Sequence, residues 1–238
     1  MIALVTGGGR GIGREIAQRL AAEFKVAIFS RTRKELFETA AMIRDAGGTC
    51  IYEVCDLAEP AEIEDAFGRV VKQLGPVQVL VNNAGIVESA PLVKTTLENW
   101  SRTLAVNLTA AFLLCKLAAP SMIERRHGRI VNVASSAGKR GAAYIAAYAA
   151  SKHGLLGLTT SLADEWRDTG VTVNAVCPGY VETPMTKANV ARIREKTGRS
   201  EEEIRRQFGR IIEPAQVADA VMPLVRPDCT RTGEAIDL

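Results

Sequence analysis

The sequence predicts an α/β fold, a doubly wound parallel sheet with helices on both faces. Three observations lead to this prediction. Short apolar runs alternate with segments of helical periodicity along the whole chain, a pattern typical of a parallel sheet covered by helices. The apolar runs are continuous, as expected of strands that are buried on both faces. No segment rich in Gly, Pro or Ser divides the 238 residues, so we expect them to form one domain.

Seven apolar runs are predicted as strands. They are IALVT, KVAIFS, TCIYEVC, VQVLVNNAG, GRIVNVASS, VTVNAVCPG and, last, EAIDL. The predicted helices carry boundary signals such as Pro60 at the start of one and a glycine pair at the end of another. They are REIAQRLAAEF, RKELFETAAMIRDAGG, PAEIEDAFGRVVKQLG, a long helix around LENWSRTLAVNLTAAFLLCKLAAPSMIERR, AAYAASKHGLLGLTTSLADEWRDTG and a helix near 214–225. The charged segment 184–210 is predicted as a solvated helical insertion.

Composition and charge limit the classes of function. A net charge of +3 is too small to indicate nucleic-acid binding by itself. The five cysteines are scattered and show no zinc spacing, so we expect free thiols in a reducing cytoplasm and no metal site. The N-terminus lacks the pattern of a secretory signal. The longest apolar candidate, LTAAFLLCKLAAP, is interrupted by Lys116 and closed by Pro120, so we expect no membrane span.

The glycine-rich turn TGGGRGIG joins the first strand to the first helix. Glycines let the backbone turn tightly and approach a pyrophosphate, and the helix N-terminus supplies amide donors and a positive dipole end. Three residues separate Gly7 from Gly11, where the commonest dinucleotide fingerprint leaves one. The turn predicts nucleotide binding, although many such turns need glycine for their geometry alone.

The end of the second strand indicates which cofactor is bound. An acidic residue usually stands there and binds the ribose hydroxyls, but here Ser30 and Arg31 occupy the place. A guanidinium pairs with a 2′-phosphate, and Arg10 can reach the same pocket, so the sequence predicts NADP(H) over NAD(H). In the alternative, Arg31 and Arg33 are solvated loop charges. Asp56, after the third strand, is placed either to accept a hydrogen bond from the adenine amino group or to cap a helix.

Tyr148 and Lys152 lie four residues apart in an alanine-rich helix, with Tyr144 four residues earlier, so all three share one face. A tyrosine that exchanges protons with a carbonyl should titrate below its ordinary pKa of about 10. A nearby ammonium stabilises the phenolate and lowers that pKa. The YxxxK pattern is nevertheless common by chance and proves little alone.

The neighbouring motifs give the pattern its meaning. Ser135 ends the fifth strand thirteen residues before Tyr148, NNAG (82–85) ends the fourth strand, Asn107 lies in the long helix, and PG (178–179) ends the sixth strand. These strand ends meet at the edge where doubly wound folds bind ligand. With TGxxxGxG, and in this order and spacing, they are the motifs of the short-chain dehydrogenase/reductase family. The chain resembles that family from residue 1 to its end.

The resemblance implies a Rossmann fold and a role for each motif residue. Tyr148 would be the general acid in ketone reduction, and Lys152 would lower its pKa and hold the nicotinamide ribose. Ser135 would orient the substrate carbonyl, while Asn107 would kink its helix and anchor a water that relays protons to Lys152. Singly, Ser135 could be a loop hydroxyl and Asn107 a helix-surface amide.

The resemblance also implies an extended cofactor site. Asn83 would support its floor, and Thr183, otherwise a helix cap, would hold the carboxamide. Ser135 keeps the family interval, whereas Ser136 is expected to turn into the following loop, and Tyr144 is expected to line the substrate mouth. The implied cofactor residues are Gly7, Arg10, Gly11, Ile12, Gly13, Ser30, Arg31, Asp56, Leu57, Asn83, Ala84, Gly85, Tyr148, Lys152, Pro178, Gly179, Val181 and Thr183.

The body of the chain and the KTGRSEEE region are most similar to the 3-oxoacyl-thioester reductases of this family, which act on acyl-carrier-protein or CoA substrates. Of two basic residues that dock the carrier protein, one corresponds to Arg126, but the other falls at neutral Thr169, with Arg167 close by. CoA thioesters and free ketones therefore stay open as substrates. Members are commonly homotetramers built on two long helices, near 96–119 and 148–168.

Two other functions are considered. One is an NAD(P)-dependent dehydrogenase that oxidises a hydroxy acid, polyol or cyclic alcohol. The other is a non-enzymatic, cofactor-sensing protein on the same fold, which would typically have lost the tyrosine or lysine that this chain keeps. The basic segment 187–210 is either a solvated helix pair or a surface that attracts a phosphate-bearing carrier.

Overall fold

A seven-stranded parallel sheet forms the centre of the computed structural model, which describes the backbone of residues 1–238 and every side chain except that of Lys196. The strands are β1 (Ile2–Thr6), β2 (Lys25–Ser30), β3 (Cys50–Val54), β4 (Val79–Asn82), β5 (Gly128–Val133), β6 (Val171–Cys177), β7 (Tyr180–Val181), β8 (Ile211–Ile212) and β9 (Ala235–Asp237). The sheet order is β3-β2-β1-β4-β5-β6-β9, and a separate two-stranded ladder joins β7 to β8. The predicted doubly wound fold is confirmed.

Helices connect and cover the strands. Pro stands in the first turn of three helices, where its missing N–H costs nothing, and a left-handed Gly198 ends one of them. The helices are α1 (Gly11–Leu20), α2 (Arg33–Asp45), α3 (Pro60–Leu74), α4 (Leu97–Leu104), α5 (Ala110–Glu124), α6 (Ala146–Glu165), α7 (Pro184–Thr197), α8 (Glu201–Phe208) and α9 (Pro214–Val225).

The core has two layers, one on each face of the sheet. Successive strand residues point to opposite faces, so Ala3 and Val5 of β1 pack under α1 and α9, whereas Ile2 and Leu4 pack under α3 and α5. This two-sided burial explains why the strands are continuous apolar runs. The strand order reverses between the neighbouring strands β1 and β4. Such folds bind ligands in the crevice at the carboxyl ends of these two strands.

The long helix predicted around 97–126 is one helical stretch with a defect. A π-helical turn, Ala105–Thr109, separates α4 from α5. The stretch Leu97–Glu124 is, by length and composition alone, apolar enough to cross a membrane and is longer than the run LTAAFLLCKLAAP singled out in the sequence. Pro120 lies inside α5 and does not end it. Half of the most apolar window is buried in the protein, because α5 packs against the sheet as a core helix.

Candidate functional site

One cleft follows the carboxyl edge of the sheet. All the cofactor residues named from the sequence line it, from Ser30 and Arg31 at one end to Tyr148 and Lys152 at the other. Ser135 also lines it, whereas Asn107 is buried behind it. Further lining residues that the motifs did not indicate include Glu35, Cys55, Ile86, Val106 and Met185.

The glycine turn packs directly on the fourth strand. Gly7 has φ +67°, and a Cβ there would lie 2.9 Å from the Asn83 amide nitrogen. A Cβ at Gly13 would collide with the carbonyl oxygen of Gly7 and with the same amide. Asn83 Nδ2 donates to the carbonyl of Thr6 at 2.8 Å. The turn is therefore a cradle of bare backbone at the N-terminus of α1, which fits a pyrophosphate.

The far end of the cleft holds two arginines around one carboxylate. Arg102 Nη2 lies 3.0 Å from Asp56 Oδ2, and Arg31 Nη1 lies 3.8 Å from the same oxygen. The backbone N–H of Ala58 donates to Asp56 Oδ1 at 3.0 Å. Burial acts to raise the pKa of Asp56, but the Ala58 and Arg102 hydrogen bonds outweigh it and hold this pKa below its ordinary value.

The contacts of Asp56 combine both predicted alternatives. Its Oδ1 accepts the N–H of Ala58 just before α3, whereas its Oδ2 accepts a hydrogen bond from Arg102 at the cleft. Arg102 on α4 was not singled out from the sequence, since it follows no motif and meets Asp56 only in the folded chain. Arg10 pairs with Glu35 at 3.0 Å, which offsets the acidic charge that α2 brings to this end of the cleft.

Lys152 is buried, with 3% of its surface exposed, and its Nζ donates to the carbonyl of Val133 at 2.8 Å. Desolvation lowers the pKa of Lys152 to about 8. Nζ lies 5.8 Å from the centre of the Tyr148 ring one helical turn away. The two heads are therefore at one site, as helical spacing predicts.

Tyr148 does not have the lowered pKa expected from a lysine neighbour. Burial raises its pKa, a hydrogen bond with Ser135 opposes this rise, and nearby Tyr180 adds to it. The ammonium of Lys152 is directed to the Val133 carbonyl, which explains why the expectation is wrong for this structure. Tyr148 stays a phenol at neutral pH.

Asn107 lies in the π-helical turn and is almost fully buried. Its Oδ1 accepts the N–H of Ile86 at 2.8 Å, and its Nδ2 donates to the Ile86 carbonyl at 2.9 Å and to Ser151 Oγ at 3.0 Å. A helix-surface amide is thus excluded. The π turn inserts a residue into the helix, a feature frequent at functional sites, and Asn107 there holds the loop after β4 against α6.

Ser135 and Ser136 take different positions. Ser135 Oγ accepts the N–H of Ala137 at 3.1 Å and lines the cleft, whereas the N–H of Ser136 donates to the Pro178 carbonyl at 2.9 Å. Ser136 begins a short 3₁₀ turn, Ser136–Gly138, as expected of the residue that enters the loop.

Two further residues at the mouth were named from the sequence. Thr183 is the N-cap of α7 and also faces the glycine turn, since a Cβ on Gly11 would lie 3.4 Å from its Cγ2. Tyr144 is exposed, has φ +69°, and accepts the N–H of Ala90 at 2.8 Å through its carbonyl. That bond joins the loop after β4 to the segment just before α6.

Two contacts fasten the charged segment 184–210 beside the cleft. The Tyr180 and Phe208 rings stack with centroids 3.8 Å apart and planes at 5°. Arg205 lies 2.6 Å from Glu182, and this pairing holds the pKa of Glu182 below its ordinary range. The sequence did not indicate the β7–β8 ladder that brings these residues together, because each strand has only two residues.

Among the residues that the structure describes, no group of three or more His, Cys, Asp or Glu could hold a metal ion. The cysteines are free thiols, and four of them are buried. Burial raises the pKa values of Cys50, Cys55 and Cys115 to about 12, so these thiols stay protonated at neutral pH.

Comparison with known proteins relates this geometry to a family. A family model described as short chain dehydrogenase matches residues 1–194. The 3-oxoacyl-[acyl-carrier-protein] reductase FabG of Escherichia coli is 40% identical over 187 residues, covering 79% of this chain and 76% of that protein. The 2-dehydro-3-deoxy-D-gluconate 5-dehydrogenase of Bacillus subtilis is 38% identical over 204 residues, covering 86% and 78%.

A solved structure agrees over the full length. The crystal structure of a variant of actinorhodin polyketide ketoreductase with NADPH superposes with a TM-score of 0.93 at 40% identity, covering 100% of this chain and 95% of that one. The family match includes the glycine turn, the tyrosine and the lysine. The chain therefore belongs to the short-chain dehydrogenase/reductase family.

Proposed function

We propose that this protein is an NADPH-dependent oxidoreductase that reduces the ketone of a 3-oxoacyl thioester to a secondary alcohol. The observation that carries the proposal is one cleft with Tyr148, Ser135 and Lys152 at one end and Arg31 at the other. The names of the similar reductases, which act on 3-oxoacyl-carrier-protein and polyketide substrates, support the substrate class.

The cleft fits NADP(H) at three points. The bare glycine backbone at the start of α1 suits the pyrophosphate. Arg31, with half of its side chain exposed, suits the 2′-phosphate, and Asp56 suits the adenine amino group. Lys152 would hold the nicotinamide ribose, and Thr183 the carboxamide. The remaining cleft residues named from the sequence would complete this site.

Bound NADPH supplies the hydride that adds to the carbonyl carbon. The protein's own side chains bind and protonate the carbonyl oxygen. The Ser135 hydroxyl orients the carbonyl oxygen, and the Tyr148 hydroxyl donates a proton to that oxygen as negative charge develops on it. Because its pKa is raised, Tyr148 holds this proton at neutral pH and suits the role of acid in the reductive direction.

Lys152 and Asn107 assist this proton transfer indirectly. With a pKa of about 8, Lys152 carries its charge at neutral pH, where it assists proton return to Tyr148 and binds ribose hydroxyls. Asn107 fixes the Ile86 backbone and Ser151, which keeps the loop after β4 against α6. We propose that it also anchors the water through which protons reach Lys152.

The carrier of the substrate is proposed as CoA or an acyl-carrier protein. Arg126 is exposed, and its NH2 donates to the Asp168 carbonyl at 2.9 Å, which places it beside neutral Thr169. The neutral residue at this second docking position favours CoA over the protein carrier. Either carrier would place the protein in fatty acid or polyketide metabolism.

A panel assay tests the proposal. We expect acetoacetyl-CoA or an acyl-carrier thioester to be reduced with NADPH far faster than simple ketones. Thioester turnover no faster than that of simple ketones would overturn the substrate class. Equal binding of NADPH and NADH would overturn the cofactor choice. Arg31→Asp should reverse the cofactor preference, measured as the ratio of the two binary dissociation constants.

A second candidate is oxidation of a hydroxy acid, polyol or cyclic alcohol. The similarity to a sugar-acid 5-dehydrogenase favours it. The same panel, run with NADP⁺ and secondary alcohols, separates the two, because an oxidative enzyme would turn over the alcohol at neutral pH faster than the thioester ketone.

We further propose a cytoplasmic homotetramer and a single domain spanning 1–238, with α7 and α8 as its substrate-side insertion. Phe112 on α5 is 47% exposed, and packing between subunits would cover this apolar side chain. Light scattering should give a mass of about four chains of 25.6 kDa. A monomer would contradict this assembly and leave the reaction untouched.

A further inference from the structure

Asp56 is shared by two guanidinium groups that approach the same oxygen. Arg102 is within hydrogen-bond distance of Oδ2 at 3.0 Å, whereas Arg31 stands off at 3.8 Å. The other oxygen, Oδ1, accepts the Ala58 N–H, and the Asp56 N–H donates to Glu62 at 2.8 Å. The carboxylate is therefore fixed in orientation, and Arg102 occupies the oxygen that faces Arg31.

This arrangement matters because Arg31 has two possible anionic partners. One is the 2′-phosphate of NADPH, and the other is the Asp56 carboxylate only 3.8 Å away. A guanidinium paired closely with a carboxylate has fewer donors and less net charge to offer a phosphate. An interaction that keeps the Asp56 carboxylate from pairing closely with Arg31 therefore raises the affinity for NADPH relative to NADH.

Arg102 is placed to make that interaction. It comes from α4, in the second half of the sheet, and reaches across to the loop after β3. Asp56 lines the cleft with 25% of its side chain exposed, and Arg102, at 40%, contacts it from behind the lining, where partial desolvation strengthens a charge-assisted bond. Arg31, at 54% exposure, stays directed toward solvent and the cleft.

We propose that Arg102 is a positioning residue for cofactor selection: by holding Asp56 Oδ2, it leaves Arg31 available to the 2′-phosphate. This inference rests on the proposed use of NADPH. Arg102 need not touch the phosphate, and Asp56 keeps its orientation toward the adenine end. Specificity at this site thus belongs to three side chains from three segments of the chain.

Binary titrations of NADPH and NADH, followed by nucleotide fluorescence, test the inference without turnover. Arg102→Met should lower the ratio of the NADH to the NADPH dissociation constant by about five- to tenfold, the scale of one charge-assisted bond, mainly through weaker NADPH binding. Arg102→Lys should retain part of the preference. Arg69→Met, which breaks the neighbouring Arg69–Glu53 ion pair, is the matched control and should leave the ratio unchanged.

The decisive test adds Arg102→Met to a protein that already carries Asp56→Asn. In it, the carboxylate that competes for Arg31 is gone, so adding Arg102→Met should no longer change the ratio. If the ratio still falls, Arg102 acts on the phosphate directly and the inference is wrong. An unchanged ratio for Arg102→Met alone would also overturn it. A wild-type ratio near one would instead refute the proposed NADPH preference, and thermal unfolding of each variant identifies any that fail to fold.

Discussion

The Nζ of Lys152 is hydrogen-bonded at 2.8 Å to the carbonyl oxygen of Val133, the last residue of β5. This bond joins the helix that carries Tyr148 to the strand end that carries Ser135. The lysine is therefore held by the sheet edge and not by the tyrosine, and its lowered pKa follows from burial with a neutral partner.

Turnover should decline as the pH rises through about 8, the pKa of Lys152. Tyr148, with its raised pKa, stays protonated across this range, so the loss reports the lysine. The measurement is kcat for ketone reduction from pH 6 to 10. Lys152→Arg keeps a charge at all these pH values and should remove or displace this limb. A limb that persists unchanged in the arginine variant would contradict the assignment.

The same group predicts a pH dependence of stability. Its folded pKa lies below its unfolded value of 10.5, so between about pH 8 and 10.5 the unfolded chain binds more protons than the folded one. The contribution of Lys152 to the free energy of unfolding should therefore rise with pH across that window. Denaturant titrations at a series of pH values give the free energy of unfolding for wild type and for Lys152→Met. Plotted against pH, this free energy should rise more steeply for wild type between about pH 8 and 10.5, because the variant lacks the lysine.

Replacing each tyrosine should separate the acid from the pocket wall. Tyr148→Phe removes the proton donor and should lower kcat by about 10²- to 10⁴-fold. Tyr144→Phe is the matched control, because Tyr144 is exposed and its backbone carbonyl, not its hydroxyl, makes the bond to Ala90. It should keep substantial turnover, and the reverse result would refute the assignment.

The two adjacent serines offer a similar comparison. Ser135→Ala should lower kcat by about 10²-fold, as expected for loss of one hydrogen-bond donor to a developing oxyanion. Ser136→Ala should have little effect, since its backbone N–H rather than its hydroxyl holds the turn to Pro178. Equal losses in both variants would indicate a shared structural role.

Asn107→Ala should destabilise the protein as well as inactivate it. The change leaves the backbone N–H and carbonyl of Ile86 and the hydroxyl of Ser151 without this partner in a buried place, at a cost of roughly 2–4 kcal/mol. Denaturant unfolding measures it. Ser101→Ala, at an exposed position of α4, is the control and should stay within about 0.5 kcal/mol of wild type.

Much of the fold and the positions of the cleft residues could be predicted from the sequence, because they follow from local rules. Apolar runs and glycine turns mark the strands, and parallel strand ends bring Ser135, Asn83 and Pro178 to one edge. The resemblance implied a kink at Asn107, but the π turn at 105–109 has no signal in the residues themselves, because α5 is apolar on most sides and hides a one-residue shift of phase. Pairing of Arg102 with Asp56 depends on two distant segments meeting.

The pKa of Tyr148 shows a different limit. Spacing in the sequence places a lysine beside the tyrosine, but the sign of the shift depends on how deeply the phenol is enclosed and where the ammonium donates. Burial and a neutral carbonyl partner decide it here. Neither is visible in a four-residue interval.

The attachment of α7 and α8 has a consequence for how this enzyme could change its substrate. The segment 184–210 joins the rest of the chain through a two-residue ladder, the stacked Tyr180 and Phe208 rings and the Arg205–Glu182 pair. Of these anchors, Tyr180 is the one that acts on the catalytic helix α6, where it adds to the raised pKa of Tyr148. We expect the segment to be exchangeable: a replacement from a relative that kept these anchors and the cleft residues Pro184, Met185 and Thr186 should give the same chemistry a new specificity.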